Sequence, residues 1–450
     1  MILLLFGSFA AATMGAESSS PPADAAAFEL KEISTFDAPE VLRSRLLVGA
    51  YCECQTEADK NVEAYPSFKS DKPLYGSLQV GGATTEPDTP YHYAFAFDES
   101  EGTGQGYDRL YLDTNRNGDL TDDTCLSPTK DVPNKALMNP GASNSGVSER
   151  CFEPLKLRVA PGDDPQHQLE VMPRFLRYPG SRSFAILTTT KAWMGEIEIG
   201  GERFTAVLCH TRGIPGRFDH PATGLFLLAP GDPSGRPTVS WYGGEQLMAM
   251  HRKGDTYYRL GATPSGDKLF VWPYQGAFGT LEVKAGQRSV ERVQATGSLA
   301  SEDIAVSLTE GLGSQTANRS NSFRVPVGDY AIQMLNVTYD KLNCLTLRNN
   351  HADGQPGGRA QAGPAVYAIK IREDAPFVLD FSGKPQVLFA SPAKDCRVRA
   401  GEQLDVKAVL IDPALDIMFR AIRERDQLNP KVTIARANGQ VVADGVMPFG

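Results

Sequence analysis

Residues 195–208, Gly-Glu-Ile-Glu-Ile-Gly-Gly-Glu-Arg-Phe-Thr-Ala-Val-Leu, alternate polar and apolar side chains on both sides of Gly200-Gly201. Successive side chains of a strand point to opposite faces, so this alternation buries one face, and paired glycines supply the positive φ of a tight reversal. A chain carrying this signal builds antiparallel sheet. The same cadence recurs where 255–260 and 268–272 flank the Pro264-Ser-Gly-Asp267 turn, and where 431–442 reverses at Asn438-Gly439. Further strands are predicted at 74–80, 91–97, 108–112, 154–159, 169–172, 184–188, 225–228, 280–283, 367–371, 377–381, 385–389 and 401–411. Short helices are predicted at 39–47 and 415–426. The fold class expected is mainly β: multidomain antiparallel sheets and immunoglobulin-like sandwiches with few short helices.

With 450 residues the chain exceeds what one hydrophobic core holds, and 43 Gly and 31 Pro suit many strands joined by turns. The divisions expected are a signal peptide and flexible leader at 1–27, one or more β-rich domains at 28–310, a sandwich-like domain at 322–390, and an immunoglobulin-like unit at 391–450. A polar stretch at 311–321 reads as a linker, and 126–150 as a long surface loop. Residues 2–16 form an apolar run ending in small residues, the pattern of a secretory signal lacking its usual positive start. A secreted or periplasmic location is therefore expected, and no later transmembrane segment is found. The sequence ends at Gly450, directly after the 431–442 hairpin, and the expectation drawn is a reading frame that continues, as at a UGA codon inserting selenocysteine.

Net charge is −9, which argues against a nucleic-acid partner. The cysteine count of seven leaves at least one thiol unpaired in a monomer. An oxidising compartment permits Cys125–Cys151 and Cys344–Cys396, while buried or surface free thiols are the other reading. Cys52-Glu-Cys54 alone makes a poor zinc site.

One stretch concentrates chemistry. Asp113, Asn115 and Asn117 are spaced by two, Gly118 follows, and Leu120 comes two further on. A hard cation such as Ca²⁺ takes six to eight oxygen ligands, and this spacing offers three side-chain oxygens before a glycine that allows a sharp turn. Asp119 adds its backbone carbonyl. An EF-hand loop places a bidentate Glu at its twelfth position; here that position is Thr124, leaving Asp122 and Asp123 as the nearby carboxylates. The flank at 109–112 reads as a strand, so a calcium loop inserted into β-structure is expected. An ordinary Asx-rich turn without metal uses the same residue types.

Setting Gly216 on Gly118 places Phe218 on Leu120, and Thr211, Gly213 and Pro215 on Asp113, Asn115 and Asn117. An internal repeat with a metal-free second copy is suggested. None of the six histidines forms H-E-x-x-H, and no G-x-S-x-G or Walker motif occurs. Cys209-His210 would point to opposite faces of a strand, which does not suit a nucleophile and its base. Trp193, Trp241, Trp272 and Tyr274 are available to stack on a ligand or to fill a core.

Residues 112–123, Tyr257-Tyr258 before the Pro-Ser-Gly-Asp turn, Val325-Pro-Val-Gly-Asp-Tyr330 and 444–450 resemble uncharacterised large secreted β-rich proteins of Planctomycetes-type bacteria. The resemblance covers most of the chain from about Tyr91 onward and implies location and architecture without an assigned activity. Together these readings lead to a secreted, calcium-binding, non-catalytic protein for extracellular or periplasmic binding, adhesion or surface assembly. Its partner would be an extracellular carbohydrate or protein. The alternative is a secreted hydrolase acting on polysaccharide or peptide.

Overall fold

The computed structural model describes residues 21–46, 49–81, 91–104, 106–129, 147–159, 168–178, 182–211, 213–230, 245–284, 293–301, 303–308, 322–339, 342–346, 369–380, 386–391, 396–397, 399, 402, 406–412, 417–423, 426–427 and 431–446. The chain is mainly β, with several antiparallel sheets, and among the described residues the one helix is Glu40–Leu46. Two compact units divide between Pro273 and Tyr274. That division falls inside the 28–310 stretch, because Phe278–Lys284 finds its partners later in the chain, at Ser322–Pro326 and Phe377–Asp380.

Among the described residues, the unit ending at Pro273 contains four sheets. Lys191–Ile199 and Glu202–Cys209 form the expected hairpin, with Ile199 opposite Glu202. Gly200 and Gly201 turn it at φ of 57° and 82°, values that side chains with a Cβ rarely adopt. This hairpin sits inside a five-stranded sheet between Lys31–Ser34 on one side and Gly224–Leu228 with Glu245–Gln246 on the other. A second sheet orders Ala50–Glu53, Ser183–Thr189, Gln168–Arg177 and Ser148–Cys151, with Leu155–Arg158 also on Gln168–Arg177. A third pairs Ala26–Glu29 with Lys268–Pro273, then Thr256–Ala262 and His251–Lys253.

The fourth sheet, Leu74–Val80, Tyr91–Asp98 and Arg109–Leu112, carries the chain into the Asx-rich stretch. Its strands and those of the second sheet share one core, in which Leu78, Tyr93, Phe95 and Phe97 meet Phe152, Val171, Phe175 and Leu187. Phe97 lies 4.7 Å from the Phe175 ring and 5.6 Å from that of Phe152. Each such buried side chain contributes roughly 2 kcal/mol from apolar area removed from water.

In the unit beginning at Tyr274, Phe278–Lys284 runs antiparallel to Ser322–Pro326 and parallel to Phe377–Asp380. A nine-stranded sheet places Val293–Ala300 between Ala305–Ser307 and Gly328–Tyr339, and continues through Leu342–Thr346, Ile417–Arg423, Lys407–Asp412 and Gln386–Ser391. Tyr330, fully buried, donates its hydroxyl to the Pro326 carbonyl at 3.0 Å, fixing the turn that starts Gly328–Tyr339. Lys431–Ala435 and Val441–Val446 form the expected last hairpin, with Gly439 at φ 85°.

Two expectations are corrected. The helix expected at 415–426 is instead strand Ile417–Arg423 paired to Leu342–Thr346, since a cross-strand partner overrides local helical composition. Cys125, Cys151 and Cys396 carry free thiols, so neither suggested disulfide forms. Cys125 packs beside the cluster of Val62, Tyr111 and Leu120, and Cys151 packs with Met172, so two separate apolar surroundings hold the first pair of thiols. The leader at 1–20, most of the surface loop (130–146), the linker at 311–321 and the last residues 447–450 lie outside the described residues. Among the described residues no helix is long and apolar enough to cross a membrane.

Candidate metal loop

Strand Arg109–Leu112 pairs with Tyr91–Asp98 up to Leu112 opposite Phe95, and the next amide, that of Asp113, donates to the Ala94 carbonyl at 2.9 Å. The chain returns at Leu126, which exchanges both backbone hydrogen bonds with Leu110 at 3.1 and 2.8 Å. Residues 113–123 are thus held at both ends by sheet. Leu120 anchors the middle: it is fully buried among Val62, Ala94, Ala96 and Tyr111. The Gly118 carbonyl accepts from the Glu63 amide at 2.8 Å, and the Leu120 amide donates to the Ala64 carbonyl at 3.0 Å. A Cβ on Gly118, at φ 79°, would stand 3.2 Å from the Asn61 carbonyl oxygen, so glycine is required for both conformation and approach. Arg116 also takes a left-handed φ of 61°, and its guanidinium lies 3.7 Å over the Tyr91 ring.

The side chains close a network of hydrogen bonds. Asp113, 4% exposed, accepts from the Asn117 amide at 3.1 Å and from the Gly118 amide at 3.0 Å, one on each oxygen. Each of those oxygens keeps a second lone pair. Asn115 and Asn117 both direct their side-chain amides at Asp122, at 3.2 and 2.8 Å. The Asn115 and Asn117 oxygens accept from the amides two residues on, at 3.0 and 2.8 Å. The Asp119 carboxylate accepts from the Thr121 hydroxyl and amide, bonds that lower its pKa. Asp123 turns back to Thr114, accepting from its amide at 3.0 Å and its hydroxyl at 2.6 Å. The second Asp123 oxygen is buried without a partner. Burial raises the Asp123 pKa; the Thr114 bonds oppose the rise, and the charges of Asp113 and Asp122 add to it.

The structure therefore brings all six residues expected from the sequence, Asp113, Asn115, Asn117, Asp119, Asp122 and Asp123, into one closed loop and separates their roles. Asp122, at position ten, accepts from both Asn115 and Asn117. Asp123 buttresses the start of the loop. Among the described residues no three His, Cys, Asp or Glu side chains converge as a metal cluster. The donor set in this loop is instead mixed, and its oxygens suit a hard cation better than a soft one.

No protein-family model, curated protein or solved structure matches this chain.

The suggested second copy shares two features with the loop. Gly216 has φ 84°, and Phe218, like Leu120, is buried. The entering strands differ in place: Arg109–Leu112 ends its sheet, whereas Glu202–Cys209 is central.

The other sites considered from sequence have filled surroundings. Burial pushes the Cys209 thiol up to about 12 and the His210 imidazole down to about 3, so neither a thiolate nor an imidazolium forms there near neutral pH. Cys52 and Cys54 pack against the apolar core, and burial raises both thiols. Trp193 packs edge-on to Phe218, Trp272 lies under the Arg259 guanidinium, and Tyr274 stands edge-on to Phe278. Trp241 lies outside the described residues.

One site escaped sequence reasoning. The buried carboxylate of Glu99 accepts from the Ser70 hydroxyl at 3.0 Å, the Thr103 hydroxyl at 2.7 Å, the Gly106 amide at 2.9 Å and the Gly104 amide. Burial alone would raise its pKa, but these four bonds together bring it down to about 2. The signal available was Glu99 ahead of Gly102, Gly104 and Gly106.

Proposed function

We propose that residues 113–123 bind a structural Ca²⁺, with Asp113, Asn115, Asn117, the Asp119 carbonyl and Asp122 as its ligands. The observation that carries this reading is the convergence of Asn115 and Asn117 on Asp122, in a loop that also holds Asp113 and is pinned by sheet at both ends. Rotation of the two side-chain amides exchanges nitrogen for oxygen toward the centre. The cation would neutralise Asp113 and Asp122, whose charges bear on Asp123.

In this reading the chain is a secreted or periplasmic protein that works by non-catalytic binding, adhesion or surface assembly, with immunoglobulin-like sandwiches as spacers. Its ligand is an extracellular carbohydrate or protein. The support is the β-rich architecture and the oxygen-rich surface loop that holds Asp113, Asn115, Asn117 and Asp122. Titration calorimetry of the full chain with Ca²⁺ is expected to show one site, lost in Asp113→Ala and weakened at least tenfold in Asp122→Asn. Equal Ca²⁺ uptake by wild type and Asp113→Ala would refute the site. A calcium-dependent signal on an array of glycans or extracellular proteins would support the binding role, and turnover of a polysaccharide or peptide would favour the hydrolase.

A further inference from the structure

His210 follows strand Glu202–Cys209 and is only 1% exposed. Neither ring nitrogen has a hydrogen-bond partner. A neutral imidazole always carries one N–H donor and one acceptor lone pair, so this side chain leaves both unused in a dry site. The ring is stacked at 4.2 Å and 21° on Phe218, which belongs to the turn at 213–223. The Phe218 amide donates to the Pro264 carbonyl at 3.0 Å, the Ile214, Pro221 and Thr223 carbonyls accept from the Gly81, Met248 and Leu247 amides at 2.7, 3.1 and 2.8 Å, and Ile214 anchors the start of the turn in the core.

Charged and titratable groups surround this place without serving His210. On the turn itself, Arg217 and Asp219 form an ion pair, with Arg217 Nε donating to Asp219 Oδ1 at 2.8 Å. His220 acts on His210 electrostatically, and its Nδ1 accepts from the Ala222 amide at 3.1 Å. Cys209, the neighbour on the strand, bonds the Gly224 carbonyl. On the segment hydrogen-bonded to the turn, Glu245 stands 3.5 Å from Nε2 of the buried His251. That Nε2 also lacks a hydrogen-bond partner, and burial lowers the His251 pKa to about 4, but a carboxylate stands near it. His210 would become a buried cation with no hydrogen-bonded acceptor, the costliest state for such a group.

We propose that His210 is a proton-operated latch: its protonation releases the turn at 213–223 from the strand Glu202–Cys209. The closed arrangement excludes the proton and the open one admits it. The sign follows from the buried imidazole titrating below its ordinary value of 6.5, at about 3. Above pH 6.5 both states are neutral and the latch is closed. As pH falls through 6.5 the open state takes up the proton first, and each further unit multiplies opening about tenfold until roughly pH 3. His210 alone then raises opening roughly 30-fold between pH 8 and pH 5.

The test uses the full chain labelled with ¹³C at histidine Cε1, with His210→Phe and His210→Gln for assignment, and hydrogen exchange corrected for intrinsic rates. The native His210 resonance is expected not to titrate between pH 8 and pH 5. Over the same range, peptides covering 213–223 should exchange faster, by a factor that His210→Phe reduces about 30-fold. A His210 resonance in the closed protein with a midpoint near 6.5 would overturn the latch, whether or not the variants fold. So would a His210→Phe protein that keeps the wild-type pH dependence of exchange.

Discussion

Strand Arg109–Leu112 has an acidic, glycine-containing loop on each side, and the two loops solve the problem of a carboxylate near a core in opposite ways. Before the strand, Glu99 is surrounded by protein donors, and Asp98 accepts from the Lys69 and Ser70 amides at 3.1 and 2.9 Å. After it, the carboxylates are incompletely met by donors. The charges of Asp113 and Asp122 bear on Asp123, and one buried Asp123 oxygen has no partner. The first loop is complete as a piece of protein. The second leaves a buried carboxylate oxygen unmet by protein.

Substitutions sharpen that contrast. Glu99→Ala removes one acceptor and strands four donors, and should cost on the order of 4 kcal/mol in urea unfolding, with or without calcium. Its carboxylate also sets a pH dependence. Since the folded pKa is about 2, depressed from 4.5, its stabilisation is complete above about pH 4.5 and is lost as pH falls towards 2. Unfolding curves between pH 6 and 2 should therefore be flatter for Glu99→Gln than for wild type. Leu120→Ala, which empties the anchor under the second loop, should cost roughly 3 kcal/mol and also weaken Ca²⁺ binding in calorimetry. Gly118→Ala forces a Cβ toward the Asn61 carbonyl and should cost about 1–2 kcal/mol. The smallest effect expected is that of Asp123→Asn, which keeps the Thr114 contacts and relieves like-charge repulsion. It should stabilise the chelator-treated protein by about 0.5 kcal/mol in thermal melts. A loss of stability there would show that the Asp123 charge stabilises the calcium-free loop.

What could be read ahead of the structure was whatever a short window contains. The Gly200-Gly201 and Asn438-Gly439 hairpins, strand Leu74–Val80, helix Glu40–Leu46 and the spacing of Asp113, Asn115 and Asn117 are local patterns, and they stand in the structure. Glu99 was not legible because one of its partners, Ser70, lies 29 residues earlier and nothing in the local sequence announces the meeting. Ile417–Arg423 was misread because Met418, Ala421 and Arg423 suit a helix, and only the pairing with Leu342–Thr346 decides otherwise. The role of Asp122 was half visible. Composition placed a carboxylate near the end of the loop, but which of Asp122 and Asp123 faces Asn115 and Asn117 depends on the turn that Gly118 and Leu120 set.

The most direct test is thermal unfolding of the full chain in calcium and in chelator, alongside Asp113→Ala. If the second loop holds a structural cation, saturating calcium should raise the wild-type midpoint by several degrees, as expected for a ligand bound only to the folded state. Asp113→Ala should melt at one temperature in both conditions. An identical calcium response in wild type and Asp113→Ala, or none in wild type, would contradict the account.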